Sequence, residues 1–413
     1  MAGGTSLNLF TEFVDITGPT YLTGPKDVVN DAQKTNYGTL GYMLRGQGMS
    51  DVLQGGATIN DYVYLQAVRR SRSYKPNEKQ TYDNTQTGTT WSADWRFFLT
   101  DMVWTDEEII LNAGGTMSRE AKFQAYKDLY WRKQQQVYTD QMNYWEEILW
   151  AVPDSTSMEV SGTGSEMYSI PTFITQNDPH TAGASAAAAS QIVQTGSHPL
   201  MAASTAWSGN VAGIDPDAAS SGGKWANTLV HYGTGGAGFT TASLENVIHA
   251  LDIAFHAVDF RPPPMFQEYY ENPQAQQKPG PFIACSLEGK TKLMFLYRES
   301  KDTWVDMKDP FFNPTYAGAP IVYTAQLDTA ALYNLGGTAL ATEAAATITG
   351  PRYYGIQPQY LRPVFHTDRY FTSLGVMTDL EQPTTHVMPI NTYAQLCPRS
   401  RNRHFMVAPL ASN

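Results

Sequence analysis

Residues 118–150 contain no Gly or Pro and read as one helix, about 50 Å long at about 1.5 Å per residue. On a helical wheel Phe123, Tyr126, Tyr130, Trp131, Val137, Tyr138, Tyr144, Trp145, Ile148 and Leu149 share one broad face. Gln134 and Gln141 interrupt it, so the stripe is not the aliphatic seam of a coiled coil. The pattern predicts a beam on which other elements lie. Upstream, residues 61–104 read as a long β-hairpin with limbs DYVYLQAVRRSRSY and TTWSADWRFFLTDMVW and a polar, turn-rich tip. Trp91, Ala93, Trp95, Phe97 and Leu99 alternate with polar residues for part of the second limb, as in a half-buried strand. Each limb is about 45 Å long at about 3.3 Å per residue. A two-stranded ribbon is marginal alone in water. Its aromatic face is therefore expected to find cover on a neighbouring subunit.

Shorter signals fill in the rest. Thr105 and Glu108 fit a capping box for a helix through Leu111, ended by Asn112-Ala-Gly-Gly. Residues 158–160 and 167–174 read as short strands, and 181–242, rich in Gly, Ala, Ser and Thr, as irregular packed loops. Ser243 is a good N-cap for a second helix through Val258, with an apolar stripe of Leu244, Val247, Ile248, Leu251, Phe255 and Val258. Residues 281–287, 319–325 and 386–390 read as strands, while 293–297 fits strand or helix. Residues 1–50 show little periodicity but carry Phe10, Phe13, Val14 and Ile16, which favours an ordered arm over a loose tail. No internal repeat is evident. The class is α+β with a projecting ribbon.

Composition shifts this picture toward assembly. Charged residues make up 16% of the 413-residue chain, against about 25% in ordinary domains. The chain has 24 Tyr, 9 Trp and 15 Met, types enriched where surface becomes subunit interface. A net charge of −11 argues against tight nucleic-acid binding by phosphate neutralisation. Cys285 and Cys397 form neither a disulfide framework nor a zinc set. The first residues, MAGGTSLNLFTEF, lack the basic and apolar regions of a signal peptide, and no apolar run would span a bilayer.

Candidate chemistry is sparse. ACSLEGKT at 284–291 matches a relaxed phosphate-loop pattern, but only Gly289 supplies loop freedom and Glu288 would oppose an anion; a turn between two elements is the plainer reading. Glu245, His249, Asp252 and His256 share one face of the second helix at metal-ligand spacing, where polar residues belong in any case. Cys397 and His404 pair only nominally as a nucleophile and base. Arg69, Arg70, Arg72, Lys75 and Lys79 form one basic cluster, and Arg399, Arg401, Arg403 and His404 another. Such clusters more often meet acidic patches on a partner subunit than nucleic acid. No metal or cofactor is expected.

The order of arm, long ribbon, beam helix and mixed domain resembles the major capsid proteins of tailed double-stranded DNA bacteriophages, the Hong Kong 97-type fold. His198-Pro-Leu-Met, Val211-Ala-Gly-Ile-Asp-Pro and Trp225-Ala-Asn look like the family segment that leads a Gly-Ile-Asp turn to a Trp-Asn pair before a helix. Tyr316-Ala-Gly-Ala-Pro-Ile-Val resembles the family's Gly-x-Pro-Val strand start, and Gln357-Pro-Gln-Tyr-Leu with Val387-Met-Pro-Ile is a looser match. The resemblance implies an N-terminal arm (1–50), an extended β-hairpin loop (51–104), a peripheral domain with spine helix 118–150 (105–240), and an axial domain with a return to the peripheral domain (241–413). It implies a non-enzymatic head protein that assembles as pentamers and hexamers into an icosahedral shell around double-stranded DNA. Assembly would take place in the host cytoplasm and the product would be the virion. The subunit interface is expected at Trp91, Trp95, Phe97, Arg69, Arg70, Arg72, Phe10 and Phe13. The short region before the ribbon implies a separate scaffolding protein; a portal and a decoration or cement protein are the other expected partners, with no membrane. The rival readings are an encapsulin-like shell enclosing protein cargo and a soluble metal- or nucleotide-dependent enzyme.

Overall fold

The computed structural model describes residues 38–44, 51–53, 55–65, 88–108, 119–151, 166–175, 193–196, 210–216, 224–232, 241–258, 281–300, 315–328, 351–378 and 382–409. A short helix α1 (Gly38–Leu44) precedes β1 (Asp51–Leu53), β2 (Thr58–Tyr64), β3 (Gly88–Asp94) and β4 (Arg96–Thr105). The long helix α2 (Arg119–Leu149) lies one residue inside its expected bounds at each end. Then come a single turn α3 (Ile170–Phe173), β5 (Val193–Gly196), β6 (Asn227–Tyr232) and α4 (Thr241–Val258). Next are β7 (Phe282–Cys285), α5 (Leu287–Ser300), β8 (Thr315–Tyr316), β9 (Ala319–Tyr323), β10 (Tyr353–Ile356) and β11 (Leu361–His366). The chain closes with β12 (Thr372–Ser373), β13 (Met377–Thr378), β14 (Thr385–Pro398) and β15 (Phe405–Pro409). The fold class is α+β, as the periodicity predicts.

Two compact units interleave along the chain. Asn36–Arg96, Trp145–Thr367 and Ala394–Asn413 belong to the larger, while Phe97–Tyr144 and Asp368–Tyr393 make the smaller. The larger unit is built on a seven-stranded sheet in the order β5-β6-β15-β10-β7-β9-β8. β6 with β15 and β7 with β9 run parallel; the other neighbours are antiparallel. Val247, Ala250, Leu251, Ala254 and Val258 of α4 recur every three or four residues, so they share a face. That face joins Val230, Ile283, Ile321, Tyr353 and Phe405 of the sheet in one buried cluster. All four residues of β7 and of β10 are buried, as expected of central strands covered on both faces.

In the smaller unit β4, β12 and β13 all pair with β14. Met102 and Trp104 of β4 pack with Met388 and Ile390 of β14, against Tyr130, Val137 and Tyr138 of α2. Side chains alternate in direction along a strand. One face of β4 is therefore turned to the helix and the other is not. The capping box forms: Glu108 N–H donates to Thr105 Oγ1 at 3.3 Å, Thr105 N–H to Glu108 Oε2 at 3.4 Å, and Glu108 also pairs with Lys133 at 3.3 Å.

The described residues correct several expectations. The hairpin consists of β2 and β3, in register from Thr58 opposite Asp94 to Tyr64 opposite Gly88. After Asp94 the chain leaves the ribbon, and β4 pairs with β14 rather than with the first limb. The cause is an inversion of alternation at Trp95-Arg96. Trp91, Ala93 and Trp95 are buried, and thereafter Phe98, Met102 and Trp104 are buried while Phe97 and Leu99 face out. A shift of one residue moves every following side chain to the opposite face. Residues 167–174 are not a strand; they include α3, in which Pro171 sits at the start of a helix, where its missing N–H costs nothing. Residues 293–297 lie within α5, and the Gly- and Ala-rich tract contains the buried strand β6. On α2, Trp131 and Tyr144 are exposed, whereas Gln141 and Glu146 are buried. The strand expected at 158–160 lies outside the described residues, as do the side chains of Phe123 and Tyr126.

Candidate functional site

The hairpin is rooted in its own chain. Trp91 is 2% exposed and Trp95 6%. Trp95 Nε1–H donates to Gly56 O at 3.1 Å, and the ring meets His366 edge-on at 5.3 Å. Beside Trp91, Ser92 N–H donates to Ala212 O at 3.1 Å. Ala212 belongs to a tight turn in which Val211 and Ile214 exchange backbone hydrogen bonds of 2.8 and 3.2 Å. Gly213 has φ +80°, and a Cβ there would lie 2.9 Å from Ser92 Oγ, so both conformation and space ask for glycine.

The Trp-Asn segment holds that turn from behind. Trp225 Nε1–H donates to Val211 O at 2.9 Å. The Asn227 amide pairs with the Thr175 backbone as a strand would, accepting from its N–H at 2.9 Å and donating to its carbonyl at 3.1 Å. Arg401 is fully buried and donates to Phe173 O at 3.0 Å and Trp225 O at 2.9 Å. Two of the sequence segments that carried the resemblance thus form one hydrogen-bonded joint at the hairpin root. Trp91 and Trp95, expected at a subunit interface, are corrected to protomer core. Arg69, Arg70, Arg72, Phe10 and Phe13 lie outside the described residues.

Exposed apolar surface is concentrated elsewhere. Phe97 is 67% exposed, Leu99 61% and Val103 41%, all on the face of β4 turned away from α2. The Phe97 ring meets Tyr393 of β14 edge-on at 4.5 Å. In the same unit the turn between β12 and β13 exposes Leu374, Val376 and Met377 around Gly375. Among the described residues, nine of the twelve exposed large hydrophobic side chains belong to the smaller unit. Phe97 and Leu99 are neighbours on the outward face of β4, with the exposed Asp101 between Leu99 and Val103; exposed large apolar side chains gathered in one unit mark an interaction site. Phe97 alone of these was expected; the uninterrupted Leu-Gly-Val-Met run was the available signal for the turn.

The chemical candidates resolve into structure. In ACSLEGKT, β7 leads through Ser286 into α5, so Gly289 lies in a helix and not in a loop. Ser286 Oγ accepts from Gly289 N–H at 3.2 Å, and Asp328 Oδ1 accepts from Leu287 N–H at 2.6 Å. The chain's own carboxylate thus holds the place a phosphate would need. Gly289 serves packing, since a Cβ would lie 3.0 Å from Pro351 and 3.2 Å from Tyr353. On α4, Asp252 Oδ1 accepts from Tyr316 O–H at 2.5 Å, and His256 Nδ1–H donates to the Asp252 carbonyl at 2.8 Å. The Glu245 side chain lies outside the described residues, and among the described residues no group of three His, Cys, Asp or Glu side chains is placed to hold a metal.

Burial, aided by the Arg401 charge, pushes His404 down to about 3, and its Nδ1 accepts from Gln357 N–H at 3.2 Å; it is a neutral core histidine, not a base for Cys397. Burial pushes the Cys285 thiol up to about 12. The second basic cluster is also dispersed. Arg401 is core, Arg403 lies over the Tyr360 ring at 5.8 Å, and Arg399 stands 4.0 Å from Asp61.

No family model matches the chain, and no curated protein sequence matches it. Several solved structures are similar to it. The capsid asymmetric unit of cyanophage A-1(L) is 13% identical, with 96% of this chain and 99% of that chain covered and a TM-score of 0.45. The mature capsid of bacteriophage PhiM1 is 9% identical, with 95% and 92% covered and a TM-score of 0.43. The capsid of the native GTA particle is 9% identical, with 96% and 98% covered and a TM-score of 0.44. Likeness at this level decides nothing about function, which is read from the chain's own residues.

Proposed function

We propose that this chain is the major capsid protein of a tailed double-stranded DNA bacteriophage, a structural, non-enzymatic subunit with the Hong Kong 97-type fold. The observation that carries the reading is Phe97, Leu99 and Val103 on the outward face of β4, left exposed by a protomer that buries Trp91, Trp95, Phe98 and Trp104 along the same stretch. Covering that row on another copy stabilises the assembly at about 25 cal/mol per Å² of apolar surface removed from water. The low charge content and the motif order of the sequence support the same conclusion. In this reading the protein forms pentamers and hexamers whose related contacts close into an icosahedral shell. The shell encloses DNA without sequence-specific binding. Residues 1–50 serve as the arm, the ribbon of β2 and β3 as the extended loop in place of the full span 51–104, and α2 as the spine of the peripheral domain, with the axial domain following from residue 241. Scaffolding, portal and decoration proteins are the expected partners, and the product is the virion.

Electron microscopy of the expressed chain, alone and with a scaffolding protein, tests the proposal. The expected result is large closed particles. Discrete small oligomers under every condition would refute it, and closed particles packed with a co-purifying protein instead of DNA would favour the encapsulin-like alternative.

A further inference from the structure

Within the larger unit, α1 is fastened by one buried carboxylate. Glu146 is fully buried near the end of α2. Its Oε1 accepts from Thr39 N–H at 3.0 Å and from Trp150 Nε1–H at 3.2 Å, and its Oε2 accepts from Leu40 N–H at 2.6 Å. The Trp150 indole N–H is shared with Thr39 Oγ1 at 3.2 Å, and the Thr39 hydroxyl lies 2.7 Å from that of Thr324, just past β9. Gly38 fits tightly, since a Cβ there would stand 2.7 Å from Tyr323 O. Trp150 in turn meets Tyr354 of β10 edge-on at 5.0 Å. The side chains that hydrogen-bond Thr39 and Leu40 in the first turn of α1 are Glu146, Trp150 and Thr324.

We propose that Glu146 is a proton-operated clasp, whose protonation state sets how firmly residues 38–44, and with them the tether to the chain before Gly38, are held to the body of the protomer. The balance of forces gives the direction. Burial raises Glu146 from the ordinary 4.5 to about 7, opposed by the hydrogen bonds from Leu40, Thr39 and Trp150. Among the described residues, burial and hydrogen bonds make up that balance. Among the described side chains, the titratable groups on the elements around it are Tyr323 of β9 with its partner Asp328, Cys285 of β7, Arg352 and Tyr354 at β10, and the exposed Glu147 on its own helix. Burial pushes Tyr323 and Cys285 up to about 12, so neither titrates in the range that matters.

With the clasp open, Glu146 meets water and binds its proton near 4.5; closed, it holds the proton to about 7. Protons therefore favour the closed form. The closing free energy is fully present below about pH 4.5 and is lost as pH rises to about 7, beyond which it is level. Opening increases across that window by up to about 300-fold, the ratio set by the two values.

Hydrogen exchange of the Thr39 and Leu40 amides, in the full chain between pH 5 and 8 and corrected for intrinsic exchange, tests the clasp. Wild type should lose protection by one to two orders of magnitude (about 10- to 100-fold) as pH rises. Glu146→Gln, which cannot titrate, should show no pH dependence. Trp150→Phe removes a donor that favours the ionised form and should move the wild-type midpoint upward. A flat wild-type profile, or a slope that persists in Glu146→Gln, would overturn the proposal. Should Glu146→Gln fail to fold, the wild-type slope and the Trp150→Phe midpoint still decide: no slope, or a midpoint that stays put, overturns it.

Discussion

Gly355→Ala is expected to destabilise the protomer by about 3 kcal/mol, the upper end for forcing extra volume into a packed core. Gly355 lies in β10 directly opposite Phe405 of β15, and the Phe405 ring crosses the space where a side chain would stand. A Cβ at this position would lie 2.1, 2.3 and 2.4 Å from three atoms of that ring. The ring cannot swing aside cheaply, because it packs on Phe255 of α4 at 5.4 Å. Chemical denaturation of the variant measures the loss. The double variant Gly355→Ala with Phe405→Leu separates the cause: partial recovery identifies the ring collision, whereas additive losses would place the damage in the backbone.

Asn227→Leu is expected to cost about 3 kcal/mol, because it strands two buried backbone groups of Thr175 at about 1–3 kcal/mol each. Asn227 is fully buried, and its amide serves the N–H and the carbonyl of that residue at once. Asn227→Asp sharpens the test. An ionised aspartate accepts from Thr175 N–H but opposes the carbonyl, while a protonated one restores both bonds. The variant should be destabilised at neutral pH and recover on acidification, since a buried carboxyl holds its proton more tightly folded than unfolded. A loss independent of pH in Asn227→Asp would show that the amide's donor is not the missing element.

The helices α2 and α4 were legible in the sequence because each is an uninterrupted run at helical period. The joint at the hairpin root was legible only as a pattern. Val211–Pro216 and Trp225–Asn227 stood out, but their physical reason, Trp225 donating to Val211, appears only once the chain is folded. The strand β6 was hidden inside a Gly- and Ala-rich tract. The helix α5 was hidden by a glycine in its first turn and by a mixed apolar and charged sequence. The interface expectation failed at Trp91 and Trp95 for a specific reason. The run Trp-Arg-Phe-Phe conceals the point at which inward and outward positions exchange, and one residue decides which aromatic rings are core and which are surface. Glu146 gave no signal beyond a carboxylate beside Trp145, because the amide it holds, that of Thr39, is 107 residues away.

Assembly is assigned to the outward face of β4, and sedimentation velocity on the Phe97→Asp, Leu99→Asp double variant tests that assignment most directly, with thermal melting of the protomer in parallel. Both side chains are more than half exposed in the isolated chain. The expected result is a protomer that melts as wild type does but stays in slowly sedimenting species under conditions where wild type forms shells. Shells at wild-type yield, or a protomer that melts markedly earlier, would contradict the role assigned to that face.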